Sequence, residues 1–314
     1  MCLTPFPVAN PLFGKFTFFH KPDQFINVAC GKCPKCMKKR SNSWTIRMAE
    51  ERKVSTNCYF VTLTYHSLHV PKSASGRLTL CTEDLQKFFK RLRKKMFGNQ
   101  KGDLKYYACG EYGSRYQRPH YHLMLFNVNP ELIESAWGKG IVDIQVPKSA
   151  DATSMYVAKY MHKGKTVPMY KDDDRMPEKS YMSRGIGLSY LTEEVIKYHR
   201  ADPCRHTRYR KSDGSFWLLP KYYFDKLYRV RNKVGELLKE YKIIQDKQIA
   251  YFKKLREEAE AKLRREFENM FPNDSFERVQ MQRVQLTIKN YHEKEKAKRL
   301  DKYFDPTYTR VLLN

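Results

Sequence analysis

Two runs with period-two alternation, LKYYACGEY (Leu104–Tyr112) and HYHLMLF (His120–Phe126), are joined by the short segment GSRYQRP. Side chains alternate between the two faces of a strand, and so short a loop returns the chain as an antiparallel neighbour. The pair therefore commits the chain to an antiparallel sheet. It also sorts chemistry onto one face, because His120 and His122 point one way while Tyr121, Leu123 and Leu125 point the other. On the preceding strand the same alternation groups Tyr107, Cys109 and Glu111. Two imidazoles side by side are half of a metal site, and Glu111 could place a carboxylate beside them. The plainer alternative is two polar residues on a solvent-facing sheet.

Further strands and helices follow from local pattern. CYFVTLTY (Cys58–Tyr65) and GIVDIQV (Gly140–Val146) are dense in β-branched and aromatic residues and extend the sheet to at least four strands. After Thr82, the residues Leu85, Phe88, Phe89, Leu92 and Met96 recur at helical spacing, with Glu83 and Asp84 in the first turn. Ser149 and Asp151 are competent N-caps for ATSMYVAKYMHK, which should be helical until Gly164. The order of elements points to an α+β fold, a sheet covered by helices. Residues 1–45, rich in proline and cysteine, read as an irregular basic arm that runs into a helix near Trp44–Lys53. From about Tyr222, Leu227, Val230, Val234, Leu237, Tyr241 and Ile244 form a heptad stripe. The expected organisation is an N-terminal segment over 1–45, a catalytic domain over 46–200 and a mainly helical extension over 201–314.

The charge balance narrows the partners. The chain has 60 Lys and Arg against 34 Asp and Glu, a formal net charge of +26. An excess of this size points to a polyanion. Residues 221–300 hold 21 Lys and Arg against 13 Asp and Glu, so most of the excess lies before the helical tail. The basic outer face of the helix after Thr82 (Lys87, Lys90, Arg91, Lys94, Lys95) and Lys163 are candidate DNA contacts, although such a face is ordinary for an amphipathic helix. No stretch nears the ~20 apolar residues that span a bilayer, and the opening residues lack a signal-peptide pattern, so neither membrane insertion nor secretion is expected. No G-x-x-x-x-G-K-[ST] phosphate loop is present, so any ATP-driven motor must be another protein.

The cysteines fit a reducing compartment. Of eight, Cys30, Cys33 and Cys36 crowd into CGKCPKC and the others are scattered. Three thiolates leave tetrahedral zinc one ligand short. Cys2 is the first candidate for the fourth place and Cys58 the second, and three reduced cysteines in a loop are the alternative.

On a helix advancing about 100° per residue, Tyr156, Lys159, Tyr160 and Lys163 of YVAKYMHK share one face, with Met155, Ala158 and Met161 opposite. Two tyrosines at this spacing are often plain helix surface. A phenol with a pKa near 10 attacks phosphorus only if a cation stabilises the phenolate and a metal polarises the phosphate. The His and Glu set with open positions suits Mn²⁺ or Mg²⁺ used with a phosphate ligand, with Zn²⁺ as an alternative.

FVTLTY, CGEYGSRYQRPHYHLMLF and YVAKYMHK together resemble the three motifs of the HUH endonucleases, with Tyr121 as the bulky residue between the histidines. The two-tyrosine form is similar to the replication initiators of microviruses. The opening MC, CGKCPKC and SRGIG at Ser183–Gly187 resemble their gokushovirus branch. The resemblance runs across roughly residues 1–190. It implies a sheet of about five strands, His120 and His122 as ligands of Mg²⁺ or Mn²⁺, and Glu111 as a third ligand at a position where relatives vary. It also implies Tyr156 and Tyr160 as alternate nucleophiles with Lys159 as a charge-stabilising group, while Thr62–Thr64 receive no chemistry. The implied activity is origin-specific nicking and joining of single-stranded DNA through 5′-phosphotyrosine in the cytoplasm of a bacterial host, with the host's helicase and polymerase as partners. The alternatives are a non-catalytic, zinc-containing nucleic-acid-binding protein whose aromatics stack bases, or the same chemistry in a plasmid relaxase or transposase.

Overall fold

The alternating runs become neighbouring strands. A computed structural model of the chain describes residues 6–9, 25–100, 102–114, 116–147, 167–169, 171–228 and 239–303. In chain order the elements are β1 (Phe6–Ala9), β2 (Phe25–Val28), α1 (Pro34–Val54), β3 (Cys58–Thr64), α2 (Thr82–Phe97), β4 (Lys105–Tyr112), β5 (Pro119–Phe126), α3 (Glu131–Trp137), β6 (Val142–Gln145) and β7 (Ser180–Met182). Five strands form one antiparallel sheet in the order β6-β3-β5-β4-β7, so the fold is the α+β class read from sequence. The helix expected over YVAKY, with Tyr156, Lys159, Tyr160 and Lys163, lies outside the described residues.

The sheet belongs to a compact unit formed by Arg40–Ile196. Its period-two pattern separates two apolar clusters. On one face, Val61, Leu63, Ala108, Tyr121, Leu123 and Leu125 are buried with Leu85, Phe88, Phe89 and Leu92 of α2 and with Ile133, Ala136 and Trp137 of α3. Each large side chain removed from water there contributes about 1.5–3 kcal/mol. On the other face, Phe60, Tyr107, Met124 and Phe126 pack with Met48 and Trp44 of α1, whose Trp44 ring lies 4.7 Å from that of Tyr107. This cluster sits at the end of the sheet nearest Cys58 and Phe126. Glu111, His120 and His122 share the same face at the other end.

Two N-terminal expectations need correction. The helix begins at Pro34 rather than near Trp44, and the segment before it contains a strand pair, with Phe6 opposite Val28. Proline is favoured in the first turn of a helix because its missing N–H would be unpaired there anyway. The rest of α1 lacks a readable apolar period because its buried positions include Ser41, Thr45, Arg47, Glu50 and Glu51. Polar bonds hold these in place: Arg47 Nε donates to Ile186 O at 3.0 Å, Gly187 N donates to Glu51 at 2.8 Å, and Lys105 pairs with Glu51 at 2.7 Å.

The second compact unit combines Met1–Lys39 with Lys197–Asn314. It carries the helices Lys221–Tyr228, Lys239–Met270 and Phe276–Tyr303, as expected for the tail, and also a short hairpin of Arg208–Arg210 with Phe216–Leu218. Leu227 of the heptad stripe is buried, and Val230, Val234 and Leu237 lie outside the described residues. Among the described residues no helix is long and apolar enough to cross a membrane.

The metal-site end of β3 is closed by backbone. Thr64 N donates to Ile141 O at 2.9 Å and His66 N to Lys139 O at 2.8 Å, and a Cβ on Gly140 would lie 2.3 Å from both His66 N and Thr64 O. Neither backbone atom can give way like a flexible side chain. Gly140→Ala should therefore lower stability by about 1–3 kcal/mol, read as a lower urea midpoint with an unchanged slope. A midpoint equal to that of the parent would show that this close approach does not hold the sheet end together.

Candidate metal centre

Strand register assembles the site. His120 pairs with Glu111 of β4 and with Thr64 of β3, while His122 pairs with Cys109 and Thr62. Directly opposed residues share a face, so all six belong to the surface that sequence alternation assigned to the histidines. Glu111 Oε2 lies 3.4 Å from His122 Nε2 and 3.8 Å from His120 Nε2. One donor atom from each of the three residues falls within 4.8 Å of the other two. Donors about 2.1 Å from one ion are about 3.0–3.4 Å apart, so a small contraction completes a two-nitrogen, one-oxygen set. The side chains of His120, His122 and Glu111 are only 18%, 10% and 13% exposed, which keeps competing water scarce at the ligands.

Each imidazole is held from behind. The Arg118 carbonyl can only accept, so His120 Nδ1–H donates to it at 3.1 Å, leaving the Nε2 lone pair for a ligand. His122 Nδ1 lies 3.2 Å from Thr62 Oγ1, and its ring stacks on Phe60 at 5.6 Å between centroids. Such partners fix tautomer and ring orientation at metal sites. Arg118 is anchored in turn, its guanidinium donating to Tyr65 O at 2.6 and 3.2 Å and to Ser67 Oγ at 3.3 Å.

Cys109 faces the same way as the histidines but belongs to the core. Burial pushes its thiol up, partly opposed by its contact with Ser180 and by the positive charge of Arg40, so it stays neutral beside Ser180 Oγ at 3.4 Å. A carboxylate and two imidazoles without thiolate suit a hard or borderline divalent ion that keeps places for water or phosphate oxygen. The residues present thus fit a divalent metal.

The remaining expected residues fall elsewhere. Cys30, Cys33 and Cys36 bring their sulfurs within 4.8 Å of one another. Cys2 lies outside the described residues, as do Tyr156, Lys159, Tyr160 and Lys163. Lys87, Arg91, Lys94 and Lys95 sit on α2, which packs on the sheet face opposite the histidines. Lys87, Lys94 and Lys95 are exposed, whereas Arg91 donates to Ala136 O at 2.7 Å and Trp137 O at 2.9 Å, capping the end of α3. Sequence reasoning missed Thr62 and Arg118 as supports. Alternation assigns Thr62 to a strand face, but only the pairing register shows that it meets His122.

Comparison with known proteins agrees with the motifs. Residues 58–165 match the family model of replication-associated protein ORF2, a span that takes in β3, the three candidate ligands and both tyrosines of YVAKY. The chain resembles viral replication-associated proteins. It is 33% identical over 195 residues to replication-associated protein ORF2 of Spiroplasma virus 4, covering 56% of this chain and 60% of the relative. To replication-associated protein ORF4 of Chlamydia phage 1 it is 24% identical over 249 residues, covering 71% of this chain and 59% of the relative. Replication-associated protein VP4 of Bdellovibrio phage phiMH2K is 28% identical over 219 residues, 62% of this chain and 66% of the relative. The chain thus spans about three-fifths of the length of the first two relatives. No solved structure matches it significantly. The resemblance to phage replication proteins read from the motifs is borne out.

Thr62 offers a test of the site that needs no DNA. Thr62→Val keeps the β-branched shape and removes the hydroxyl that meets His122, so Mn²⁺ affinity measured by calorimetry should fall about 10–100-fold. Thr62→Ser should restore most of it. Equal affinity in the parent and the valine variant would mean that Thr62 does not orient the ligand.

Proposed function

We propose that this chain is a metal-dependent DNA nickase and strand transferase that starts and ends rolling-circle replication of a phage genome. The observation that carries the reading is the convergence of Glu111, His120 and His122, each imidazole steered from behind, in a chain similar to phage replication-associated proteins. A divalent ion bound there, Mg²⁺ or Mn²⁺ by the donor chemistry, would polarise a scissile phosphate and offset its charge.

The chain's own groups do the rest. Glu111, His120 and His122 hold and orient the ion, and Thr62 and the Arg118 carbonyl keep the imidazoles aimed. The phenol of Tyr156 or Tyr160 supplies the nucleophile, with Lys159 favouring its phenolate. Its oxygen forms a bond to phosphorus as the bond from phosphorus to the 3′ oxygen breaks. The product is a 5′-phosphotyrosine and a 3′-OH, which takes up the proton lost by the phenol and primes the host polymerase. After one circuit the second tyrosine cleaves the regenerated origin, and the new 3′-OH displaces the first tyrosine and closes the circle. Each transfer exchanges one phosphodiester for another, so joining requires no nucleotide cofactor. Unwinding falls to a host helicase, and the setting is the cytoplasm of the bacterial host. The +26 charge supports phosphate binding that weakens steeply with salt.

The test uses end-labelled single-stranded fragments of the genome that encodes the chain, with Mn²⁺. A covalent protein–DNA adduct is expected with the parent. Tyr156→Phe and Tyr160→Phe should each retain some nicking but lose coupled cleavage and joining, and the double variant should form no adduct. DNA binding without any adduct would favour a non-catalytic binding protein. One fully inactive single variant beside one that behaves as the parent would make this a one-tyrosine enzyme.

A further inference from the structure

The nicking chemistry leaves the cysteines of CGKCPKC unused, and the structure gathers them. Cys33 precedes α1, and Met37 N donates to its carbonyl at 2.9 Å, the first bond of the helix. Cys36 falls in the first turn, three residues on, so the two thiols share one side of the helix start. Cys30 reaches the same place from β2, and its sulfur accepts from Lys32 N at 3.4 Å and Cys33 N at 3.3 Å. Cys33 is fully buried, Cys30 and Cys36 are half-buried, and the three sulfurs lie within 4.8 Å of one another. Four sulfurs bound to one zinc at about 2.3 Å are about 3.8 Å apart, which these three meet with slight contraction. Backbone N–H groups donating to sulfur and the positive end of a helix both suit thiolate ligands.

Zinc in a closed structural site takes four ligands. Among the described residues no further His, Cys, Asp or Glu joins the three. The pairing of β1 with β2 supplies the missing direction. Phe6 is held opposite Val28, and the antiparallel register runs Ala9 to Phe6 against Phe25 to Val28, so the chain before Phe6 starts beside the segment that leads into Cys30. Cys2 lies outside the described residues, four positions before Phe6, which corresponds to a span of about 13 Å at most. That is enough to reach a cluster that starts two residues after Val28.

We propose that Cys30, Cys33 and Cys36, with Cys2 as fourth ligand, bind one structural zinc ion that joins the N-terminal strand pair to the start of α1. The site is separate in chemistry from the two-histidine, one-carboxylate centre. With four thiolates it has no place for substrate, so it does not depend on the nicking reading.

The test is elemental analysis of the full chain, purified without chelator and carrying His120→Ala and His122→Ala so that the other cluster does not contribute. One zinc per chain is expected. Cobalt exchanged into this protein should give an intense thiolate-to-metal band with tetrahedral visible bands, and Cys2→Ser should lower the thiolate band by about a quarter, from four sulfurs to three. A chain that holds no zinc and gives no thiolate band with cobalt overturns the site. A full-strength band in the Cys2→Ser variant overturns Cys2 as the fourth ligand. The cobalt spectrum of the chain with all cysteines in place carries the test even if Cys33→Ser, which alters a fully buried residue, fails to fold.

Discussion

The pairing of Glu111 with His120 across β4 and β5 is the constraint on which the metal centre rests. A slip of one residue in a strand turns every side chain to the opposite face. Such a slip in β5 would put Tyr121, Leu123 and Leu125 where the histidines stand and send both imidazoles into the apolar layer under α2 and α3. The large residues of that layer, including the fully buried Trp137, Tyr121 and Phe88, therefore also fix the metal ligands. Packing on one face enforces chemistry on the other. This division lets the histidine face carry polar groups at one end while Met48 and Trp44 cover the other end.

Around that register the protein builds orientation from backbone and small side chains. The imidazoles are steered by a carbonyl and a hydroxyl, groups that add no charge beside the ion. Arg118 reinforces this by tying its own loop to the end of β3 through Tyr65 O. Its charge is used on the protein's backbone, although its place in a basic sequence near the histidines would suggest a DNA contact. Arg91 behaves alike, capping α3 rather than standing free on the helix surface. A large net positive charge thus does not make each cation a phosphate ligand.

The sheet and its apolar clusters were legible because strands buried on one face advertise themselves by alternation, and α2 because its stripe is strongly apolar. The candidate ligands were legible for the same reason: His120, His122 and Glu111 lie on two strands joined by a short loop, so period two alone groups them. Thr62 was not, because β3 reaches β5 only after α2 and β4 intervene, and long-range register is invisible in local pattern. The early start of α1 was hidden because its buried side uses Ser41, Thr45, Glu50 and Glu51, whose burial depends on partners such as Lys105 and Gly187 far along the chain. The β1–β2 pair was missed because four-residue strands among prolines have little periodicity to show.

The claim at the centre is that Glu111, His120 and His122 bind a single divalent ion through Oε2 and two Nε2 atoms. An anomalous-difference map from crystals of the full chain grown with Mn²⁺ tests it most directly. One strong peak within about 2.3 Å of all three atoms is the predicted result, with the imidazoles keeping Thr62 and the Arg118 carbonyl on their Nδ1 sides. A peak elsewhere, or none at this face under saturating Mn²⁺, would contradict it.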